Sequence, residues 1–361
     1  MSLKSPSFTS QVNRRGFLAG ALGLGALGMT GVLTSCGNEA SSSAAGGASG
    51  GATAANPFTY LSYLPMETLS VAPELLADAG GHFENHGLKV TFQSTKGSPQ
   101  AIQTLVAGVG PLTRVGAIDL MTAAADGQPL VNVGTIVRGS SIRTLYSTAS
   151  PLEKPEDFIG KTIGVPSEGG TSDKSLSLML HKAGLNPDDV PRQVVGLGPG
   201  TFELVKRGDI AGYMVSIDQS IITQRQFPNE ALAFDAGDAV RADSQIYTAT
   251  TQTLEEHGDE IKAYMAAIHD AVQEFVEDES FEKTIATMRS KYSFGSLDED
   301  EVATESLRQA RDLWTANGTQ PLLTSDEGYW AEGYAELVDA GMIQDGADPA
   351  DWLDNSYLPT A

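Results

Sequence analysis

The residues of this chain that could do chemistry cluster in glycine turns, and the clearest turn lies within VPSEGGTSDKSL, residues 165–176. Two glycines, a Thr-Ser pair and an amphipathic run predict a turn that opens a helix. The first backbone N–H groups of a helix have no intrahelical acceptor, and the helix dipole favours an anion or a carbonyl oxygen there. Glu168 and Asp173 flank the turn, which argues against a doubly charged phosphate. The candidate ligand-binding residues of this turn are Gly170, Thr171 and Ser172.

A second glycine turn, Lys96-Gly97-Ser98-Pro99, precedes another predicted helix. A serine followed by a proline is the usual order of an N-cap and the first helical position. Both turns follow predicted strands, and ligands of open α/β sheets bind at the carboxyl ends of strands. Gly97 and Ser98 therefore join the candidate site, although helix capping without a ligand explains either turn alone.

Three other glycine-containing segments resemble enzyme signatures but lack the required spacing. Residues 160–162 match the end of a phosphate-binding loop, yet the upstream glycine is missing and a predicted strand follows. Residues 196–200 lack the last glycine of a dinucleotide-binding turn, and residues 164–169 are too long for a nucleophile elbow. His82 and His86 have the spacing of two metal ligands on one helix face, but no third ligand is evident. We expect no catalytic residue, no metal site and no cofactor.

The first 35 residues have the order of an export signal of the twin-arginine type. Arg14 and Arg15 precede an uncharged stretch, residues 17–33, and Leu-Thr-Ser then leads to Cys36. This ending resembles the lipobox of bacterial lipoproteins, which implies cleavage before Cys36 and its modification by diacylglyceryl and palmitate groups. A membrane-spanning anchor is the alternative, but the uncharged stretch is shorter than the ~20 residues that a span needs. Residues 36–56, rich in Gly, Ser and Ala, are expected to form a flexible tether.

The composition restricts the classes of partner and of chemistry. Acidic residues outnumber basic ones by 46 to 23, and the formal net charge is −23 at pH 7. Such a surface repels phosphate backbones, which argues against nucleic-acid binding. Because Cys36 is the only cysteine, the rest of the chain cannot form a disulfide or supply a cysteine nucleophile.

Short apolar stretches alternate with helical patterns beyond the tether, which predicts an α/β fold. The chain changes character at Ser150-Pro151, and we interpret this as the crossing between two lobes. We expect a ligand cleft between the lobes, extra helices at the C-terminal end, and hinges near residues 146–150 and 243–247. The predicted boundaries are residues 57–147 and 245–361 for the first lobe and residues 148–244 for the second.

Several segments, taken in order, are similar to one family of transport proteins. They include APELLADAGGHFENHGLKVTF, KGSPQAIQTLVAG, VGLGPG and, most specifically, the block from Ser150 to Val190. This pattern resembles the nitrate/sulfonate/taurine and thiamine-pyrimidine-precursor group of ABC-transporter substrate-binding proteins. The resemblance covers nearly everything from about Tyr60 onward. It implies a two-lobe periplasmic-binding-protein fold of type II.

The resemblance also implies which positions contact ligand. The loop after the first strand and the end of YMVSID match cleft-facing positions of the family, and an arginine pointing into the cleft would suit a carboxylate or a sulfonate. A surface arginine paired with a neighbour is an equal alternative for Arg114. The residues added to the candidate site in this way are Tyr63, Pro65, Met66, Glu67, Arg114, Arg138 and Asp218.

The function implied is that of an extracytoplasmic solute-binding lipoprotein, held at the outer face of the cytoplasmic membrane by lipid on Cys36. It would act as a monomer and deliver a small solute to the permease and ATPase of an ABC importer. Sulfonate, nitrate, aromatic carboxylate and pyrimidine precursor remain open as solutes. Two alternatives remain: a module that reports solute to a membrane receptor, and an extracytoplasmic enzyme. A fungal enzyme of this fold relies on a cysteine-rich segment, which this chain lacks.

Overall fold

The computed structural model describes residues 55–236, 240–242 and 244–360. The predicted export signal, Cys36 and the tether up to residue 54 lie outside these residues. Asn56, the last residue of the predicted tether, already begins the first strand, where it pairs with Leu88.

Two five-stranded sheets organise the described residues, in the orders β2-β1-β3-β10-β4 and β7-β6-β8-β5-β9. The fourth strand in each order, β10 or β5, runs antiparallel to both of its neighbours. The shared layout confirms the predicted two-lobe α/β architecture. The strands are β1 (Asn56–Ser62), β2 (Leu88–Ser94), β3 (Leu112–Gly116), β4 (Leu130–Val137), β5 (Ile142–Ser147), β6 (Ile163–Val165), β7 (Arg192–Val194), β8 (Gly212–Ser216), β9 (Ala231–Asp235) and β10 (Gln245–Thr250).

Helices cover the sheets, and five of them begin within a few residues of the carboxyl end of a strand. These are α3, α4 and α8 in the first lobe and α5 and α7 in the second. No helix of the described ranges is long and apolar enough to cross a membrane. The helices are α1 (Ala72–Ala79), α2 (His82–Asn85), α3 (Gly97–Val106), α4 (Ala117–Ala125), α5 (Thr171–Lys182), α6 (Phe202–Arg207), α7 (Ile217–Gln226), α8 (Thr251–Glu277), α9 (Glu282–Arg289), α10 (Gly295–Asp298), α11 (Asp300–Thr315) and α12 (Glu327–Asp339).

The first lobe boundary predicted from the sequence is wrong. The predicted first lobe extends to residue 147 and so includes β5, but β5 pairs with β8 and β9 of the second sheet. The chain therefore leaves the first sheet after Val137 and crosses at residues 138–141, before the predicted hinge at 146–150. Ser150-Pro151 lies in the loop that follows β5, since proline punctuation marks a loop without showing which sheet precedes it. The second predicted boundary falls at Gln245, where β10 begins.

An apolar cluster crosses between the lobes. It includes Leu61 and Ile118 of the first lobe together with Ile163 and Leu176 of the second, all almost fully buried. A separate core fills the first lobe alone, where α8 packs against the sheet. The lobes therefore meet over a continuous apolar contact, beside which the cleft lies.

Candidate functional site

The two predicted glycine turns face each other across the lobes. Ser98 Oγ and Thr171 Oγ1 lie 3.0 Å apart. A Cβ atom on Gly97 would come within 2.3 Å of Ser167 Oγ, and Gly97 has a positive φ of 80°. Only glycine meets both conditions without strain. The two turns thus border one crevice, in agreement with the prediction that they belong to the same site.

The crevice is a cleft of about 630 Å³, a volume within the ~300–1,000 Å³ usual for ligand sites. Most of its wall is glycine and apolar side chain. Among the described residues that line it, the charged ones are two carboxylates, Glu67 and Glu168, and one ammonium group, Lys96, and all three are exposed. The principal apolar lining residues are Tyr63, Leu64, Pro65, Pro166, Val194 and Leu197.

A small chamber of about 50 Å³ extends the cleft inwards. It shares Tyr63, Leu64, Pro166 and Leu197 with the cleft. No Asp, Glu, Lys, Arg or His is among the described residues that line it. Its polar lining consists of hydroxyl groups and one amide: Tyr63, Ser70, Ser141, Thr171, Ser172, Ser216 and Gln245.

Gln245 is the amide of this chamber, and the protein fixes its orientation. The Tyr63 hydroxyl donates to Gln245 Oε1 at 2.8 Å, and Gln245 Nε2 donates to Ser141 Oγ at 3.0 Å. Burial raises the pKa of Tyr63, so its hydroxyl remains a neutral donor. Gln245 opens β10, and Ser141 ends the first crossing between the lobes. Sequence reasoning missed Gln245, because no local motif marks a glutamine at the start of a strand.

Arg114 does not point into the cleft, and neither predicted alternative for it holds. Arg114 and Glu74 are both fully buried in the first lobe, with Arg114 Nη1 3.1 Å from each carboxylate oxygen of Glu74. The guanidinium also donates to the carbonyl of Ser70 and lies 5.4 Å from the centre of the Tyr63 ring. Burial lowers the pKa of Arg114, but Glu74 and the neighbouring tyrosines together raise it by more, and the net rise keeps the side chain charged. Arg114 therefore supports the wall from behind.

The Glu74 carboxylate is the centre of a buried tyrosine cluster. Tyr60 and Tyr247 each donate a hydroxyl hydrogen bond of 2.9 Å to its Oε1. Burial, then the charge of Glu74, raises the pKa of both tyrosines well above the usual value. Two tyrosine donors and one arginine thus compensate a carboxylate that has no contact with water.

Arg138, which the sequence predicts to contact ligand, lies outside the cleft. Its guanidinium donates to three backbone carbonyls of the C-terminal region, those of Trp314, Pro321 and Thr324, at 2.8 to 2.9 Å. Burial lowers its pKa to about 10. Arg138 therefore holds a C-terminal loop against β4 and lines neither the cleft nor the chamber.

Asp218 links the lobes instead of offering a free carboxylate to a ligand. It lies in the first turn of α7 in the second lobe and is 1% exposed. From the first lobe it accepts hydrogen bonds from the Thr68 hydroxyl at 3.0 Å, the Leu69 N–H at 3.1 Å and the Ser296 hydroxyl at 2.7 Å. Ser216 of its own lobe donates another at 2.6 Å. These donors occupy its acceptor capacity.

Asp119 forms a second link between the lobes. It is 1% exposed on α4, and Thr171 Oγ1 of α5 donates to it. Lys174 Nζ lies 2.8 Å from its other oxygen. A carboxylate therefore already faces the α5 N-terminus and offsets its dipole, which weakens that helix end as an anion site.

The structure brings together some of the sequence-predicted residues and separates others. Those that line the cleft are Tyr63, Pro65, Glu67 and Gly97, and those that line the chamber are Thr171 and Ser172. Ser98 and Gly170 are buried in the two turns, and Met66 packs against the core of the first lobe. His82 and His86 pair with Glu274 and Asp270 at 3.0 and 2.7 Å. Within the described ranges, no group of three or more His, Cys, Asp or Glu is arranged to hold a metal ion.

Comparison with known proteins finds chains of similar sequence and of similar fold. A family model described as NMT1/THI5 like matches residues 68–280. The alkanesulfonate-binding protein SsuA from Xanthomonas axonopodis pv. citri, solved bound to MOPS, superposes with a TM-score of 0.63 at 15% identity. The alignment covers 83% of this chain and 98% of that one. The predicted two-lobe periplasmic-binding-protein fold is thereby confirmed.

Two curated relatives are similar in sequence over part of their length. The riboflavin-binding protein RibY of Chloroflexus aurantiacus is 28% identical over 139 residues, 38% of this chain and 39% of RibY. The 4-amino-5-hydroxymethyl-2-methylpyrimidine phosphate synthase of Schizosaccharomyces pombe is 22% identical over 218 residues, 57% of this chain and 62% of the synthase. The chain thus spans less than two thirds of the length of either relative.

Proposed function

From the premise that this chain belongs to the NMT1/THI5-like family, we propose that it is the extracytoplasmic solute-binding component of an ABC importer. The observation that carries the proposal is the cleft of about 630 Å³, whose walls come from both lobes. A solute that contacts Tyr63 and Pro65 on one side and Val194 and Leu197 on the other favours the closed arrangement of the lobes. The closed, loaded protein then delivers the solute to the permease and its ATPase.

The proposal includes a lipid anchor on Cys36 and a position at the outer face of the cytoplasmic membrane. Its support is the order of residues 14–36, in which twin arginines, an uncharged stretch and Leu-Thr-Ser-Cys follow one another. Replacement of Cys36 by serine is expected to abolish labelling by radioactive palmitate and to move the protein from the membrane fraction to the soluble fraction. Unchanged labelling of Cys36→Ser would contradict the anchor.

We propose further that the solute is uncharged and has apolar faces. Two carboxylates face one ammonium group around the cleft, and the chamber behind it is lined by neutral groups. The two arginines that would suit a sulfonate or a carboxylate lie elsewhere, Arg114 in the core and Arg138 under the C-terminal loop. The N-termini of α5 and α7 already face the carboxylates of Asp119 and Asp218. A neutral ring compound therefore fits this site better than nitrate, sulfonate or carboxylate.

Thermal unfolding with a panel of solutes tests the proposed class. Riboflavin, the solute in the name of one relative, represents a neutral ring compound, and MOPS and nitrate represent anions. A ligand at one hundred times its Kd stabilises the folded state by about 2.7 kcal/mol. We expect riboflavin to raise Tm and the anions to leave it unchanged. Stabilisation by MOPS or nitrate alone would contradict the neutral class.

The alternatives give different results in the same preparation. An enzyme would convert a bound pyrimidine compound to product, which chromatography of the incubated solute detects. A receptor module would bind solute without supporting uptake. Uptake of solute into proteoliposomes that contain the cognate permease and ATPase, dependent on this protein, is the expected result for an importer component.

A further inference from the structure

We propose that Gln245 is the side chain that determines which solute is accepted, by hydrogen bonding to a neutral edge that carries a donor beside an acceptor. The inference rests on the proposed solute-binding function. It goes further by assigning specificity to a residue and a hydrogen-bonding pattern to the solute. Its basis is the position of one fixed amide in a chamber that is otherwise lined by hydroxyl and apolar groups.

The orientation of Gln245 is set from two sides. Tyr63 donates to its oxygen and Ser141 accepts from its nitrogen, at 2.8 and 3.0 Å. Gln245 is 8% exposed, so rotation of the amide would break both bonds in a place with little access to water. The positions of the amide oxygen and the amide nitrogen are therefore fixed.

The remaining hydrogen-bonding capacity of the amide defines what it can bind. A side-chain amide has two N–H donors and two oxygen lone pairs, and the bonds to Tyr63 and Ser141 use one of each. One N–H and one lone pair remain, on two atoms bonded to the same carbon, in a residue that lines the chamber. The complementary solute edge offers an acceptor next to a donor, as a cyclic amide or a ureide does. An anion that only accepts leaves the lone pair without a partner.

The buried ion pair behind the wall holds this arrangement in place. Arg114 lies under the Tyr63 ring and donates to the carbonyl of Ser70, another residue of the chamber. Glu74 holds Arg114 through two contacts of 3.1 Å. Arg114 is therefore a positioning residue, which acts on the solute through Tyr63 and Gln245.

The second lobe, opposite Gln245, offers hydroxyl groups that can bind the remaining polar atoms of the solute. Ser172 and Ser216 line it from the N-terminal ends of α5 and α7. Hydroxyl groups donate or accept as the solute requires, so they add affinity without selecting the pattern. Among the described lining residues, Gln245 alone has both groups in an order set by the protein.

Uracil and 1,3-dimethyluracil are a matched pair of probes for this edge. The ring carbonyls are the same, but methylation removes the N–H donors. We expect calorimetry at millimolar concentrations to show that uracil binds the full chain at least about tenfold more tightly than the dimethyl compound, since an unpaired buried group is costly. Gln245→Met is expected to bring the two affinities within about twofold of each other. The matched control is Gln193→Met, an exposed glutamine on β7 outside the chamber, which should preserve the preference.

Tyr63→Phe separates positioning from folding. The variant keeps the ring over Arg114 but removes the hydroxyl that fixes Gln245, so the preference for uracil is expected to fall severalfold while circular dichroism shows a folded chain with a lower Tm. If Gln245→Met fails to fold, Tyr63→Phe still tests whether Gln245 determines the preference for uracil. A preference that survives in Gln245→Met or Tyr63→Phe overturns the role of Gln245. Absence of uracil binding contradicts the proposal that the solute offers Gln245 an acceptor next to a donor. Solute binding and transport as such are tested separately, by the riboflavin and uptake experiments.

Discussion

Two adjoining regions of the molecule differ in how they place charged side chains. The chamber at the end of the cleft is lined by hydroxyls and an amide, whereas Arg114 and Glu74 form a fully buried ion pair directly behind it. A buried pair seldom stabilises a protein more than apolar residues of similar size would. The comparison teaches that the buried charges support the wall of the chamber, and that the chamber itself offers the solute an uncharged lining.

Breaking the buried pair has the largest expected effect on this contrast. Arg114→Met leaves the Glu74 carboxylate buried without its cation and is expected to cost about 3–5 kcal/mol of unfolding free energy. The double variant Glu74→Leu with Arg114→Met removes both charges and should lose less than the single variant. Urea unfolding measures both. If the double variant is the less stable, the pair contributes stability in its own right and our account of it is wrong.

The link at Asp218 is the next test, because it is a buried charge that joins the lobes. Asp218→Ala leaves the donors of Thr68, Leu69 and Ser296 without their acceptor, with an expected loss of about 2–3 kcal/mol. Small-angle scattering should show a larger radius of gyration as the lobes separate. Asp209→Ala is the control, since this exposed carboxylate pairs only with Arg207 within the second lobe. Equal scattering from Asp218→Ala and the unmodified chain would argue against an interlobe role.

Alkaline pH tests the tyrosines around the buried pair. Burial raises the pKa of Tyr60, Tyr247 and Tyr264 above the usual 10.0. The folded state therefore keeps protons that the unfolded chain releases, so stability is full below pH 10 and falls as the pH rises further. Tyr264 has no hydroxyl hydrogen bond in the described part of the chain, so Tyr264→Phe removes its titration alone. Between pH 10 and 11 the variant should lose about 1 kcal/mol less than the unmodified chain. Equal losses in denaturant unfolding would contradict the raised pKa of Tyr264.

The smallest expected effect concerns the exposed charges at the cleft. Glu168→Gln removes one of two carboxylates and should raise the weak affinity for MOPS, too low to shift Tm, about two- to threefold at low salt, because exposed charges interact weakly. Riboflavin binding should not change. Glu153→Gln, an exposed carboxylate outside the cleft, is the control. Calorimetry that shows weaker MOPS binding in Glu168→Gln would contradict repulsion of the anion by this carboxylate.

The sequence predicted the glycine turns because their signals are local. Gly97 and Gly170 stand at helix starts that follow strands, and local order places both turns at the carboxyl ends of the sheets. The lobe boundary was wrong because the identity of the sheet to which β5 belongs depends on distant pairing with β8 and β9.

For Arg114 the sequence does carry a local signal, but that signal indicates a buried ion pair and not the predicted ligand contact. Arg114 is the charged residue of β3, LTRVG, a strand buried at every position, and Glu74 lies in the largely apolar helix α1. A charged residue in each of two apolar segments predicts a buried pair better than a ligand contact. Gln245 offers no such signal, because its partners Tyr63 and Ser141 lie more than one hundred residues away in the chain.

Native mass spectrometry of the protein, purified from its host without refolding, tests most directly whether the two lobes hold a neutral solute and release it unchanged. We predict one uncharged ring compound per chain, whose mass stays the same when the complex is incubated before analysis. A bound sulfonate or nitrate, or recovery of a chemically altered product, would contradict the account.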